Sequence, residues 1–413
     1  MVMKFRLTKY LLGILCIFYI ENANAESIKF TDYVNKLAEH PQVTQILEQS
    51  SHFKNLSDGE MGLPNPQLIF GVDNLPVSNP TFDKFLPTSK IFGFKQQIPS
   101  YSLREARAEK QRKLSERQDI AAKYKISRLE SVLVAQIMEL DKVQALEDIA
   151  SAQITLYKAM EEDLSGQLEA GKAVYGRFSE IDLERAEIEL QLNNLKSERV
   201  EIEQSLIHLV GEVPDVTLPS VPDVMWHKDG GEDLYPVVIA KENMEIAERE
   251  ILVANSAFNP DYGVQAIYKQ RESGAGFSGD DWFSVQATIS IPLWHEWNQK
   301  PKLNAARAMR NSTEFNYEDV KREWLKKMLS LESKRDMTLK NIMLLISKKE
   351  ALSEMIKAAR RNYEAGNIPL IDMIDVQINE LKIASQLAIQ RSRHIILSAQ
   401  YNSHIIGGKN EKY

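Results

Sequence analysis

Two patterns of apolar and polar positions follow each other along this chain, and the pair of patterns occurs twice. The first is a short alternation with a period of two, which is typical of a β-strand with one apolar and one polar face. In one such segment Phe283, Val285 and Ile289 alternate with serine, glutamine and threonine. The alternation predicts four strands, over about residues 65–76, 88–99, 260–271 and 281–292.

The second pattern is a long run in which apolar residues recur every three or four positions. These runs contain no proline from Ser100 to Val213 or from Lys302 to Ile368, and they are rich in good helix formers. The end of the second run keeps a nearly heptad spacing, which is typical of coiled-coil packing. Glycine-containing turns at 166–176 and 366–369 divide the runs, so each half is expected to form an antiparallel helical hairpin.

The two halves echo each other at a nearly constant spacing, which predicts an internal tandem duplication. Ala170-Gly171 is echoed by Ala365-Gly366, an offset of 195 residues (366−171). Asn-Pro and Ile-Pro pairs repeat in the same order at offsets of 194 (259−65) and 193 (291−98). Each expected repeat has an opening helix, two strands and a hairpin. The repeats cover 26–213 and 235–408, their hairpins 100–211 and 298–407, the linker 214–234 and the tail 409–413.

Residues 1–25 have the features of a signal peptide. Basic residues such as Lys4 and Lys9 precede a short apolar stretch, and a small-residue cleavage pattern ends at Ala25. The stretch is too short for a permanent transmembrane helix, although an uncleaved anchor is the alternative. Cys16 is the only cysteine, so the mature chain is expected to have no disulfide, thiolate metal site or cysteine nucleophile.

Contact with a membrane would have to be made by strands, because no later segment approaches an apolar run of about 18 residues. Strands with one apolar and one polar face are typical of a barrel with lipid outside and water inside. Four strands are too few to close a barrel, and open strand edges cannot face lipid. Three copies would supply twelve strands. The alternative is a soluble antiparallel sheet with one solvated face, which alternates identically.

Charge and candidate chemistry indicate a protein that is not an enzyme. The formal net charge is −7, and it becomes −9 without the three basic residues and one acid of the leader (−7−3+1), which argues against a nucleic-acid partner. The seven histidines lack metal-ligand spacing, and methionines on such helices are typical core fillers. The GxGxxG letters at 274–279 precede a strand rather than a helix. We expect no catalytic site, cofactor or bound metal.

Two motifs resemble those of a known family. Gly62-Leu63-Pro64-Asn65-Pro66, continued by Gly71-Val72-Asp73-Asn74-Leu75-Pro76, is similar to the first strand in the heavy-metal cation branch of the outer-membrane efflux protein family. The turn Tyr363-Glu364-Ala365-Gly366, followed by Asp372 and Asp375, is similar to the family's tunnel-tip motif. The resemblance covers essentially the whole mature chain.

The resemblance implies a fold, a location and a set of partners. Members are homotrimers in which a shared twelve-stranded outer-membrane β-barrel, four strands per chain, continues into a long α-helical coiled-coil tunnel in the periplasm of Gram-negative bacteria. They contact outer-membrane lipid, a periplasmic membrane-fusion adaptor and an inner-membrane RND pump. A mainly α chain with a β-barrel portion would then conduct substrate passively, here heavy-metal cations. Two alternatives stay open: a type I protein-secretion or drug-efflux duct of the same fold, and a soluble periplasmic coiled-coil scaffold or adaptor.

The resemblance also implies a periplasmic tip that an adaptor contacts. Gly171, Gly366 and Tyr363 are expected at this tip. The alternative for both glycines is the simpler role of ending a helix in the left-handed conformation.

Asp372 and Asp375 are the candidate gate, a ring of symmetry-related carboxylates at a mouth that passes cations. Arg360 or Arg361 would be the salt-bridge partner that closes it. The alternative for the two acids is a favourable position at the positive end of a helix dipole. The first-half tip is longer than the second, so gate residues are not carried over to it.

Overall fold

The computed structural model describes residues 29–172, 175–215, 221–222, 224, 226 and 231–407. The predicted signal peptide and the predicted tail lie outside the described residues, as does part of the predicted linker. No helix in the described ranges combines the length and apolar character that a membrane span requires.

The described residues form seven α-helices and four β-strands. In chain order they are α1 (Phe30–Ala38), α2 (Pro41–Glu60), β1 (Gln67–Asp73), β2 (Ser89–Ile98), α3 (Tyr101–Glu169), α4 (Tyr175–Val210), α5 (Tyr235–Ser256), β3 (Asp261–Gln270), β4 (Trp282–Ser290), α6 (Gln299–Glu364) and α7 (Leu370–Asn402). The first half opens with two helices rather than the one predicted. Pro41 cannot continue α1 and instead begins α2, where His40 Nδ1 accepts a hydrogen bond from Gln42 N (3.2 Å).

The four strands form one antiparallel sheet in the order β1-β2-β3-β4. Phe70 lies opposite Phe92, which lies opposite Tyr268 on its other side. Tyr268 in turn lies opposite Phe283, so one aromatic row crosses all four strands on a single face. Phe70 and Phe283 are each 70% exposed. A contiguous apolar surface of this kind is rare on soluble monomers and marks an interaction face.

The opposite face of the sheet is polar. Lys95, Gln265 and Gln286 are direct neighbours across β2, β3 and β4. Nearer the loop end of the sheet, Lys269 Nζ lies 2.6 Å from Asp73 Oδ2. In the described chain β1 and β4 each have one neighbouring strand, so both edges of the sheet are open.

The predicted fold class, a mainly α chain with four β-strands, is confirmed. α3 and α6 contain 69 and 66 residues. At 1.5 Å per residue each is roughly 100 Å long. The return helices α4 and α7, with 36 and 33 residues, cover only part of that length. α2 packs on α3 and α5 packs on α6, so these shorter helices continue the bundle towards the sheet. The trimer and the twelve-stranded barrel stay predictions.

α3 is the central helix, because it contacts α1, α2, α4, α5 and α7. One apolar cluster packs Leu133 and Ile137 of α3 against Leu206 of α4. A second cluster, nearer the hairpin turns, packs Met160 of α3 against Ile374 of α7. Among the described elements α6 contacts only α5 and α7, which leaves much of its surface uncovered.

A buried polar cluster joins the end of α7 to the two long helices. The ring of His404 is 4% exposed, and its Nδ1 lies 2.9 Å from the Tyr124 hydroxyl of α3. It packs against Trp324 of α6, with ring centroids 4.5 Å apart. Burial and then the positive charges of Arg128 and Lys327 lower the pKa of His404 to about 3. The imidazole is therefore neutral in near-neutral solution.

Candidate functional site at the helix tips

The two long helices end with the same backbone motif. Gly171 follows α3 with a φ of 87°, and Gly366 follows α6 with a φ of 76°. This left-handed conformation favours glycine over residues that carry a Cβ. Gly366 N donates to Tyr363 O (2.8 Å) and Asn367 N donates to Asn362 O (2.8 Å), and the equivalent pair of bonds forms around Gly171. Both turns are thus Schellman motifs that reverse the chain into α4 and α7.

A polar groove lies beside these turns, with α4 and α7 as its walls and α3 as its floor. Arg177 of α4 reaches across it: its Nη2 lies 3.5 Å from Asp375 Oδ2 of α7, and its Nη1 lies 2.6 Å from Glu180 Oε2. Tyr157 and Met160 of α3 line the groove, which has a volume of about 290 Å³. α4 and α7 otherwise pack on α3 rather than on each other, so the Arg177–Asp375 pair bridges two separate helices.

Acidic side chains outnumber basic ones in this groove, where Arg177 and Lys382 face Asp375, Glu180 and Glu184. Burial raises the pKa of Asp375, Arg177 opposes the rise, and the nearby Asp372 and Glu180 add to it. Burial, followed by the charge and hydrogen bond of a neighbouring glutamate, raises the pKa of Tyr157 to about 12. Asp375 therefore loses its charge at a higher pH than an exposed aspartate does. As the pH falls, Asp375 would therefore be protonated before exposed aspartates are, and Arg177 would lose its charged partner.

The structure places the other predicted gate residues apart from this bridge. Arg360 pairs with an acid one turn along α6 (3.2 Å between Nε and Oε1). Arg361 donates from Nε to a backbone carbonyl of the same helix (3.3 Å). Asp372 lies in the first turn of α7, where the helix dipole favours an acid. Within the described chain neither arginine contacts Asp372 or Asp375, so their pairing between copies stays a prediction. Tyr363 is 39% exposed beside its turn.

Arg177 was not among the residues predicted from the sequence. The extra length expected for the first-half tip hid the correspondence of Arg177 with the second half. The duplication nevertheless contained a signal, because Asp372 follows Arg177 by 195 residues (372−177), the same offset that separates the two cap glycines. Equivalent positions of the two repeats therefore carry opposite charges.

The groove holds one electrostatic contact between helices that do not otherwise pack on each other. Across the described ranges no cluster of three or more histidine, aspartate or glutamate side chains has a geometry suited to a metal ion. The carboxylates of the groove are instead compensated by Arg177. The arrangement is that of a latch between helices.

Most of the chain is similar in structure to solved outer-membrane proteins. It matches VceC, an outer membrane protein of Vibrio cholerae, with a TM-score of 0.71 and 14% identity over 92% of this chain and 95% of that chain. It also matches CusC, a protein that forms a transmembrane channel, with a TM-score of 0.73 and 13% identity over 91% of both chains. It matches the open state of the MtrE outer membrane channel of Neisseria gonorrhoeae with a TM-score of 0.72 and 14% identity over 91% of this chain and 88% of that chain.

No family model and no curated protein sequence matches the chain. At these identities the structural matches show the fold, and they cover nearly the whole length of each partner. The sheet, the long helices and the hairpin tips therefore form one architecture that this chain shares with outer-membrane channels.

Proposed function

We propose that this protein is the outer-membrane channel of a tripartite efflux system in a Gram-negative bacterium, and that it conducts substrate passively from the periplasm to the exterior. The observation that carries the proposal is the combination of elements in one chain. A sheet with one exposed apolar face and one polar face is joined by short segments to helices roughly 100 Å long. Lipid would cover the apolar face, and the helices would extend the water-filled path through the periplasm.

The open sheet edges support assembly from several copies. β1 and β4 have unpaired backbone groups on their outer sides, and such groups are costly in lipid. Pairing β4 of one copy with β1 of the next satisfies them, and three copies close a barrel of twelve strands. The polar row around Lys95 and Gln265 would then line the lumen.

The uncovered helix faces support the same assembly. Leu183 and Leu190 of α4 are 73% and 66% exposed and lie seven residues apart, a coiled-coil spacing. On α6, Met343 and Leu344 are 60% and 69% exposed. We assign these faces to contacts between neighbouring copies of the tunnel, because an apolar stripe at heptad spacing is stable in water only when another helix covers it.

The hairpin tips would form the periplasmic mouth. Gly171, Gly366 and Tyr363 would present the turns to a periplasmic adaptor, and an inner-membrane RND pump would supply the energy. Asp372 and Asp375 would ring the mouth in three copies. Heavy-metal cations are the proposed substrate, supported by these acids and by the sequence resemblance around residues 62–76.

Mass and conductance measurements on one preparation test the proposal. We expect native mass spectrometry of the detergent-extracted protein to give the mass of three chains, and planar bilayers containing it to pass discrete ionic currents. A monodisperse monomer without ion flux would overturn the assignment. Sensitivity of a gene-deletion strain across metals, dyes and bile salts then tests the substrate class, and unchanged tolerance of every metal would reject the cation assignment.

A further inference from the structure

The segment between β4 and α6 displays an unusual amount of apolar surface. We name residues 291–298 the tryptophan turn. Leu293, Trp294 and Trp297 are 71%, 69% and 78% exposed, and Ile291 is 64% exposed. Four large apolar side chains are therefore almost uncovered within one short turn.

The tryptophan turn is a folded structure with its own hydrogen bonds. Leu293 N donates to Ile291 O (2.8 Å), and Trp297 N donates to Trp294 O (3.1 Å). The two indole rings lie 6.0 Å apart at 31°, so they form one broad apolar surface. The ring of the intervening His295 contacts Phe258 next to α5, with centroids 6.1 Å apart. The fold thus holds both tryptophans outwards.

The first half of the chain has no counterpart to this turn. β2 ends at Ile98, and α3 begins at Tyr101 after two residues. β4 ends at Ser290, and α6 begins at Gln299 after eight. The extra length in the second half is occupied by the exposed leucine and tryptophans.

The turn continues the apolar face of the sheet. Phe283, Val285 and Ile289 of β4 are 70%, 68% and 60% exposed, and the same alternation leads to Ile291 and Leu293. The seven steps from position 283 to position 290, where β4 ends, span about 23 Å along the strand. At the usual tilt of about 40° this length covers about 18 Å of membrane thickness, and the turn extends it towards the height of about 25 Å that the apolar band of an outer-membrane barrel has.

Basic side chains follow the turn on the helical side. Lys300 Nζ lies 2.7 Å from Glu296 Oε2, and Lys302, Arg307 and Arg310 continue along the first turns of α6. The order along the molecule is therefore an apolar band, a pair of indoles and then cationic groups. Phospholipids present complementary layers in the same order: acyl chains, a glycerol region and phosphates.

We propose that the tryptophan turn is a lipid-binding anchor that inserts Leu293, Trp294 and Trp297 into the glycerol region of the leaflet facing the helices, with Lys300 and Lys302 at the lipid phosphates. The inference rests on the proposed membrane channel and adds to it the element that fixes the depth of the barrel. A phospholipid leaflet is the occupant, rather than a second copy, because the turn prolongs the apolar sheet face and basic residues follow it at the start of α6.

Tryptophan fluorescence in proteoliposomes tests this anchor. We would reconstitute the full protein with phosphatidylcholine brominated near the headgroup or near the chain ends. The wild type has five tryptophans. The fraction quenched by shallow bromine is expected to fall at least about twofold in the W294F/W297F variant, since indoles favour the interface. The matched control is W282F: its indole lies on the polar face, with Arg271 4.0 Å above the ring, so its loss should not lower the quenched fraction.

A second variant keeps the tryptophans of the turn and removes all the others. W226F/W282F/W324F keeps only the two tryptophans of the turn, and its emission should be quenched more by shallow than by deep bromine. Adding phosphatidylglycerol should strengthen that quenching, and K300Q/K302Q should cancel the increase. Emission that no lipid quenches, in a protein that still forms conducting channels, would overturn the anchor alone and assign the turn to a contact between copies. A protein that neither inserts nor conducts would overturn the proposed function together with the anchor.

Discussion

Removal of the bridge between α4 and α7 should open the channel without unfolding the protein. The perturbation is Arg177→Gln, which keeps a polar side chain of similar length but removes the charge that faces Asp375. The bridge spans 3.5 Å, and its side chains are 39% and 48% exposed. Solvent therefore screens it substantially, and such pairs contribute only about 0.2–1 kcal/mol.

This small energy is multiplied if three copies open together. Three bridges would favour the closed mouth by about 0.6–3 kcal/mol, which changes the ratio of open to closed states by roughly 3- to 150-fold. The thermal midpoint should barely move, because most of the apolar core around α3 is untouched. We therefore expect a clear change in gating and almost no change in global stability.

Single-channel recording in planar bilayers measures this ratio directly as open probability. The matched control is Arg185→Gln on the same helix. Arg185 Nη1 pairs with Glu161 of α3 at 2.8 Å and does not reach α7. The control should therefore keep the wild-type open probability. Lowering the pH should open the wild type but affect R177Q less, because burial raises the pKa of Asp375 and protonation already breaks the bridge. Equal open probability in R177Q and R185Q would refute the latch.

Three further results are expected. Gly366→Ala should lower stability by about 1–2 kcal/mol in chemical denaturation, since its φ is 76°, whereas Gly166→Ala inside α3 should be neutral or stabilising; equal effects would contradict the cap assignment. Ile137→Pro should abolish SDS-resistant oligomers, because it breaks a buried turn of α3 at a cost of about 3 kcal/mol or more, while Ile137→Ala should retain some. Stability should fall as the pH drops below about 6.5, reaching a loss of about 3 kcal/mol at pH 4, because the depressed pKa of His404 keeps it neutral in the folded state while the unfolded chain takes up a proton. Thermal unfolding of His404→Gln should show a weaker pH dependence, and an identical slope would count against this origin.

The sequence predicted the types of elements because their periodicities differ strongly. The alternation of Phe92 and Phe94 with polar residues is typical of a strand and not of a helix. The order of the strands, by contrast, is known only from the observed register. Gln96 falls on the apolar face, against the pattern, and its amide donates to the carbonyls of Pro64 (2.8 Å) and Gln97 (2.7 Å). Hydrogen bonds of this kind depend on three-dimensional contacts, which the spacing of apolar residues in the sequence does not predict.

The candidate site was less accessible from sequence. The cap glycines were identified because a helix end has a local signature, and the structure shows their positive φ angles. The partner of Asp375 was not identified, since Arg177 lies 198 positions away and reaches it only because α3 brings two return helices together. Ion pairs between distant helices depend on packing angles and side-chain reach, which the spacing of one helix does not encode.

Because α3 is one unbroken helix, only a slight bend along its length is needed to widen the proposed mouth at the hairpin tips. A sideways displacement of about 5 Å at the end of a rod roughly 100 Å long needs a total bend of only about 6°, or a radius of curvature near 1,000 Å. Ordinary surface helices curve far more tightly than this, with radii of about 60–100 Å. The strands can therefore stay still while the far ends swing apart, and no hydrogen bond along the rod has to break.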